Sequence, residues 1–87
     1  MWSLVYTKSA RKTLSKLASN VRTRILAKLE HLAKDPFAQS LDVKRLTGTA
    51  TGYRLRSGDW RVIYDLDEGE LRVLVIKIGA RGDVYKC

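Results

Sequence analysis

The chain has one cysteine, one histidine and one proline in 87 residues, and only 9 acidic residues against 17 lysines and arginines. Each scarcity closes something off. The lone cysteine is Cys87, the last residue, so neither an internal disulfide nor a cysteine zinc site can form. His31 is the one histidine and reads as a surface or boundary residue of a helix. There is no histidine pair, no Ser-His-Asp set and no carboxylate cluster for a metal, so neither metal nor cofactor is expected. No apolar run approaches the roughly 20 residues of a membrane span. The opening MWSLVYTKSARK places its apolar stretch before the basic residues, the reverse of a secretory leader. A cytoplasmic protein without membrane contact is expected, folded as one domain over residues 1–87.

What is present is positive charge. The net charge of +8 favours nucleic acid or an acidic protein as partner. The run WSLVY at 2–6 suits a strand, and Thr7 can cap the helix that follows, whose apolar face is Ala10, Leu14 and Leu17. A second helix, capped by Ser19 or Asn20, carries Val21, Ile25, Leu29 and Leu32, widened by Leu26 and Ala33; Asp35-Pro36 ends it. TGTATG at 47–52 lacks the lysine of a phosphate loop and reads as a connector. Strands are expected at 52–56, 59–66 and 70–78, with turns at Ser57-Gly58 and in DEGE. The fold class is α+β, in the order β-α-α-β-β-β. An N-terminal helical hairpin packs on one face of a small, mainly antiparallel four-stranded sheet.

A two-residue loop at Ser57-Gly58 sets Arg56 against Asp59 and Arg54 against Arg61. A turn at Glu68-Gly69 sets Leu71 against Leu66, Val73 against Tyr64, Val75 against Val62, Arg72 against Asp65 and Ile76 against Arg61. Side chains alternate along a strand, so Leu55, Trp60, Val62, Tyr64 and Leu66 share the face under the helices. Arg54, Arg56 and Arg61 share the open one. Gly79 is expected to end the last strand beside the first turn, which lets Arg81 and Tyr85 curl over the rim of the arginine face.

A cluster of guanidinium groups with a tyrosine can cleave RNA without metal. The RNA's own 2′-hydroxyl attacks the adjacent phosphorus, and arginine forks hold the phosphate and stabilise the charge of the transition state. A tyrosine can serve as base if cations lower its pKa, or can stack on a base.

The β-α-α-β-β-β order, KRLTG before the hairpin, YRLRSGDWRVIY and the closing GARGDVY together resemble the RelE branch of the RelE/ParE superfamily of toxin–antitoxin toxins. The resemblance implies a ribosome-dependent endoribonuclease, an mRNA interferase that cuts mRNA on the ribosome. It implies a RelB-like antitoxin partner, and operator DNA contacted only through that antitoxin. By position it marks Arg54, Arg56, Arg61, Arg81 and Tyr85 as catalytic, and Lys44 and Arg45 as RNA or ribosome contacts. Where familiar members carry lysine on the hairpin, this chain has arginine at 54 and 56, which keeps charge but is a poor proton donor or acceptor. Two other readings stand beside it: a ParE-like gyrase inhibitor, and a non-catalytic basic RNA- or protein-binding module descended from a toxin.

Overall fold

Thr7 is the hinge between sheet and helix in the computed structural model, which describes residues 1–49 and 51–80. Strand β1 (Ser3–Tyr6) runs into Thr7, and helix α1 (Lys8–Lys16) begins there. The Thr7 hydroxyl accepts from the backbone N–H of Ala10 at 3.1 Å, the expected cap. It also donates to the carbonyl of Ile76 at 2.6 Å, and the Thr7 N–H donates to the carbonyl of Val75 at 2.9 Å. One residue therefore caps a helix and ties it to a strand 69 positions away.

Helix α2 (Ser19–Lys34) starts differently from the expectation. Ala18 is its N-cap, with no side-chain cap bond, so neither Ser19 nor Asn20 caps it. Leu17 and Ala18 are both extended, with ψ of 149° and 145°, which leaves Ser19 already inside the helix. At the other end Asp35 is extended, as a residue before proline must be. Ile25, Leu29, Leu32 and Ala33 are buried, whereas Leu26, expected to widen the stripe, is 37% exposed.

The sheet has five strands, not four. After α2 come β2 (Val43–Arg45), β3 (Gly52–Ser57), β4 (Trp60–Asp67) and β5 (Arg72–Ala80), in the spatial order β1-β5-β4-β3-β2. β1 lies parallel to β5 and the other three pairings are antiparallel. β2 escapes the sequence reading because three residues with one apolar side chain show no alternation.

Both hairpin registers differ from expectation by two residues. The first loop is Gly58-Asp59, so Arg56 faces Arg61, Arg54 faces Ile63 and Leu55 faces Val62. Gly58 has φ +61° in the first loop position, the pattern of a type II′ turn; a loop at Ser57-Gly58 would put serine there. The second connection is four residues long, Glu68 to Leu71, with Leu71 at φ +51°. Leu66 therefore pairs with Val73, Tyr64 with Val75 and Asp67 with Arg72. The expected Arg72–Asp65 ion pair is replaced by Arg72–Asp67 at 3.8 Å. Because a strand repeats every two residues, a shift of two leaves the side chains of β3, β4 and the first part of β5, through Val75, on their expected faces. Leu55, Val62, Tyr64, Val73 and Val75 are fully buried under the helices.

One irregularity was not foreseen. Between Ile63 and Tyr64 the β4–β5 register slips: Tyr64 pairs with Val75 and Ile63 with Lys77, leaving Ile76 as an extra residue. The bulge reverses the phase of β5. Ile78, which strict alternation from Val75 would send to the open face, is 3% exposed in the core, opposite Val62. Gly79, not Ile76, then faces Arg61. The Thr7 hydroxyl binds the carbonyl of that extra residue. Among the described residues no helix is long and apolar enough to cross a membrane.

Thr7→Ala removes both the cap and the bond to the bulge. It should cost about 1–2 kcal/mol, read as a melting temperature lower by roughly 4–16 °C for a domain of this size. Thr7→Ser should recover most of the loss.

Candidate nucleic-acid interface

The open face of the sheet carries a basic row assembled from three strands. Lys44 on β2 pairs with Arg54 on β3, and Arg56 on β3 pairs with Arg61 on β4. Two like-charged pairs therefore sit side by side, an arrangement that destabilises a sheet by a few tenths of a kcal/mol or more. The structure shows what offsets it. The Asp42 carboxylate, just before β2, lies 3.4 Å from Nη2 of Arg54 and 3.9 Å from Nε of Arg56. The Arg56 Nε also donates to the Gly58 carbonyl at 3.5 Å, and Nη1 of Arg61 donates to the same carbonyl at 3.4 Å. Arg54, Arg56 and Arg61 are thus joined through two shared acceptors.

The three guanidinium groups differ in exposure. The Arg56 side chain is 52% exposed, whereas that of Arg54 is 13% exposed. The Arg54 Nε is buried and has no hydrogen-bond partner. A cavity of about 360 Å³ opens beside it, lined by Lys44, Arg45, Leu46, Thr47 and Arg54. Of the two expected contact residues, Lys44 joins the basic row. Arg45 pairs with Tyr53, on the opposite alternation, and reaches the same cavity from its edge. A larger cavity of about 640 Å³ includes Asp65, Asp67 and Glu68 among its lining residues. Three carboxylates against Arg45 and Arg72 make it a poorer seat for phosphate than the arginine row.

Arg81 and Tyr85 lie outside the described residues. Within the described residues, Gly79 pairs with Arg61 and Ala80 with Trp60, so Ala80 lies beside the first hairpin. The strand ends at Ala80, one residue beyond the expected Gly79.

The described tyrosines, Tyr6, Tyr53 and Tyr64, pack with the core and not on the arginine row. Tyr53 and Tyr64 stack with ring centroids 5.6 Å apart on the helix-covered side. Burial, with a smaller contribution from Tyr53, pushes the Tyr64 hydroxyl well above its ordinary pKa. Burial and then Glu30 raise that of Tyr6. Asp42 and the Gly58 carbonyl are the participants that the sequence reading missed. Recognising β2 would have exposed Asp42, because the Arg56 N–H donates to the Asp42 carbonyl at 2.9 Å as β2 joins β3.

A family model described as the ParE toxin of the type II toxin–antitoxin system parDE matches residues 4–85. The chain belongs to this toxin family. Among solved structures the toxin resembles RelE of the archaeal RelE–RelB complex from Pyrococcus horikoshii OT3, with 30% identity and a TM-score of 0.81 over 93% of this chain and 96% of that one. It resembles the isolated E. coli RelE toxin at 26% identity and TM-score 0.80, covering 98% and 92% of the two chains. It also resembles the intact E. coli RelBE toxin–antitoxin complex at 28% identity and TM-score 0.78, covering 92% and 96%. No curated protein sequence matches it. These likenesses put the toxin on the RelE side of the RelE/ParE superfamily.

The Tyr64 hydroxyl is buried without a partner. Tyr64→Phe should therefore raise stability by about 1 kcal/mol rather than lower it. It should also change the alkaline limb. The raised native pKa favours the protonated form, so its contribution is complete below about pH 10 and is lost as pH climbs past that value. Denaturant melts from pH 8 to 11.5 should show a shallower decline in the phenylalanine variant.

Proposed function

We propose that this toxin is a ribosome-dependent, metal-independent endoribonuclease that cleaves mRNA by attack of a 2′-hydroxyl on the adjacent phosphorus. The observation that carries the reading is the row of Arg54, Arg56 and Arg61 on one open sheet face, joined through Asp42 and the Gly58 carbonyl. The similarity to RelE toxins supports it. In the proposed step the 2′-oxygen forms a bond to phosphorus and loses its proton to Tyr85. The bond from phosphorus to the 5′-oxygen breaks, and that oxygen takes a proton from Arg81 or, where Arg81 only clamps, from water. The products are a 2′,3′-cyclic phosphate and a 5′-hydroxyl. Arg54, Arg56 and Arg61 stabilise the negative charge that gathers on the phosphoryl oxygens, and Arg81 acts as a further clamp or as the acid. DNA lacks the nucleophile and is not a substrate. Lys44 and Arg45 hold the RNA or ribosomal backbone at the edge of the row.

The partner is a RelB-like antitoxin. Two of the similar structures are RelE toxins in complex with RelB. Contact with operator DNA comes only through that antitoxin. The ParE description of the matching family favours a second reading, inhibition of DNA gyrase.

Expression of the toxin in cells separates the two: cuts within mRNA codons mapped by primer extension support the nuclease, and DNA damage with intact translation supports the gyrase inhibitor. In single-turnover cleavage of ribosome-bound mRNA, Arg61→Ala should lower the rate by about 10²–10³. Tyr85→Phe should lower it by about 10²–10⁴. Unchanged rates in Tyr85→Phe and Arg81→Ala would remove those two residues from the mechanism.

A further inference from the structure

The Asp42 carboxylate lies between two guanidinium groups of the basic row. Its two carboxylate oxygens reach two different guanidinium groups, Oδ1 that of Arg54 at 3.4 Å and Oδ2 that of Arg56 at 3.9 Å. A phosphodiester offers two non-bridging oxygens of similar span to the same pair of forks. Asp42 fills the place poorly. Charge-assisted bonds close to about 2.7–2.9 Å when well made, and both contacts are longer. The carboxylate is 54% exposed, and the Arg54 Nε behind it is buried with no acceptor. The backbone of Asp42, not its side chain, fastens β2 to β3, through the 2.9 Å bond from the Arg56 N–H. The side chain is therefore free of that structural task.

We propose that the Asp42 carboxylate is an internal anion that occupies the phosphate seat between Arg54 and Arg56 and is displaced by the incoming phosphate. The proposal rests on the reading of the arginine row as a phosphate site and adds a competitor to it. Two effects of Asp42 oppose each other. It holds the two forks together, which helps a ligand, and it repels and competes with a second anion, which hinders one. The pairing of Asp42 with Arg56, exposed on both sides, contributes at most about fivefold to an equilibrium; the partner on the Arg54 side is largely buried, but its contact is long. The strength of the pairing limits preorganisation and competition alike, but repulsion between the displaced carboxylate, still a few ångström away, and the incoming phosphate acts only against binding. Repulsion and competition together therefore outweigh preorganisation, and removing the charge tightens binding.

The test uses the full chain, made by cell-free synthesis, with inorganic phosphate as the probe at constant ionic strength. The readout is the Nε–H signals of Arg54 and Arg56 in ¹H–¹⁵N spectra. Asp42→Asn should lower the apparent Kd for phosphate by about threefold to tenfold, and Asp42→Ser should do the same if asparagine perturbs the fold. Glu70→Gln removes one charge on the distant β4–β5 connection and should leave the Kd unchanged. The gain should vanish in Asp42→Asn combined with Arg56→Ala. A Kd for Asp42→Asn that matches Glu70→Gln, or one weaker than wild type, overturns the proposal. So does the absence of any phosphate-dependent shift at Arg54 and Arg56. The nuclease reading fails separately, by intact ribosome-bound mRNA in the cleavage assay.

Discussion

The burial of Val62 and Tyr64 is the constraint on which the rest of the molecule depends. Both are fully buried on β4, between β3 and β5 and beneath the helical layer. Fully burying a side chain of this size is worth about 1.5–3 kcal/mol, and exposing the set while sinking Arg61 into the core would cost several kcal/mol more. Once these side chains face the helices, alternation leaves Arg61 no choice but the open face. The neighbouring strand follows through Leu55, which sends Arg54 and Arg56 the same way. The basic row is thus a by-product of core packing as much as of charge. A small domain can place three permanent cations together because the apolar side of the same two strands anchors them.

That also explains which parts were legible in the sequence. The face partition was readable from Leu55, Val62, Tyr64, Val73 and Val75, because period two tolerates an error of two residues. The registers themselves were not. They turn on backbone conformations, positive φ at Gly58 and at Leu71, that residue names suggest only weakly, and for a leucine not at all. The bulge at Ile76 left one trace, the break in alternation between Val75 and Ile78. Strand β2 left almost none, and with it went Asp42. The missed parts of the candidate site are thus those set by pairing between distant segments, and the recognised ones are those set by local pattern.

Charge in the described part of the toxin is managed by sharing acceptors. Asp42 and the Gly58 carbonyl each serve two arginines, and the hairpin loop that supplies Gly58 also places it within reach of both Arg56 and Arg61. The loop therefore has two jobs, to turn the chain and to hold two like charges at a common point. Under the proposed function, cations that are gathered yet weakly held suit a toxin that accepts polyanionic RNA and later an antitoxin. Long contacts leave them available to a stronger anion.

The basic residues of the helices are the obvious competitor for RNA, since Lys8, Arg11, Lys12 and Lys16 are exposed along α1 on the far side of the domain. Photo-cross-linking decides between the two surfaces: an mRNA carrying 4-thiouridine at the cleavage codon is irradiated with the toxin on the ribosome, and the adducts are mapped by mass spectrometry. The account predicts adducts on the 52–64 hairpin and at Lys44. Adducts confined to α1, with the hairpin unmodified, would contradict it.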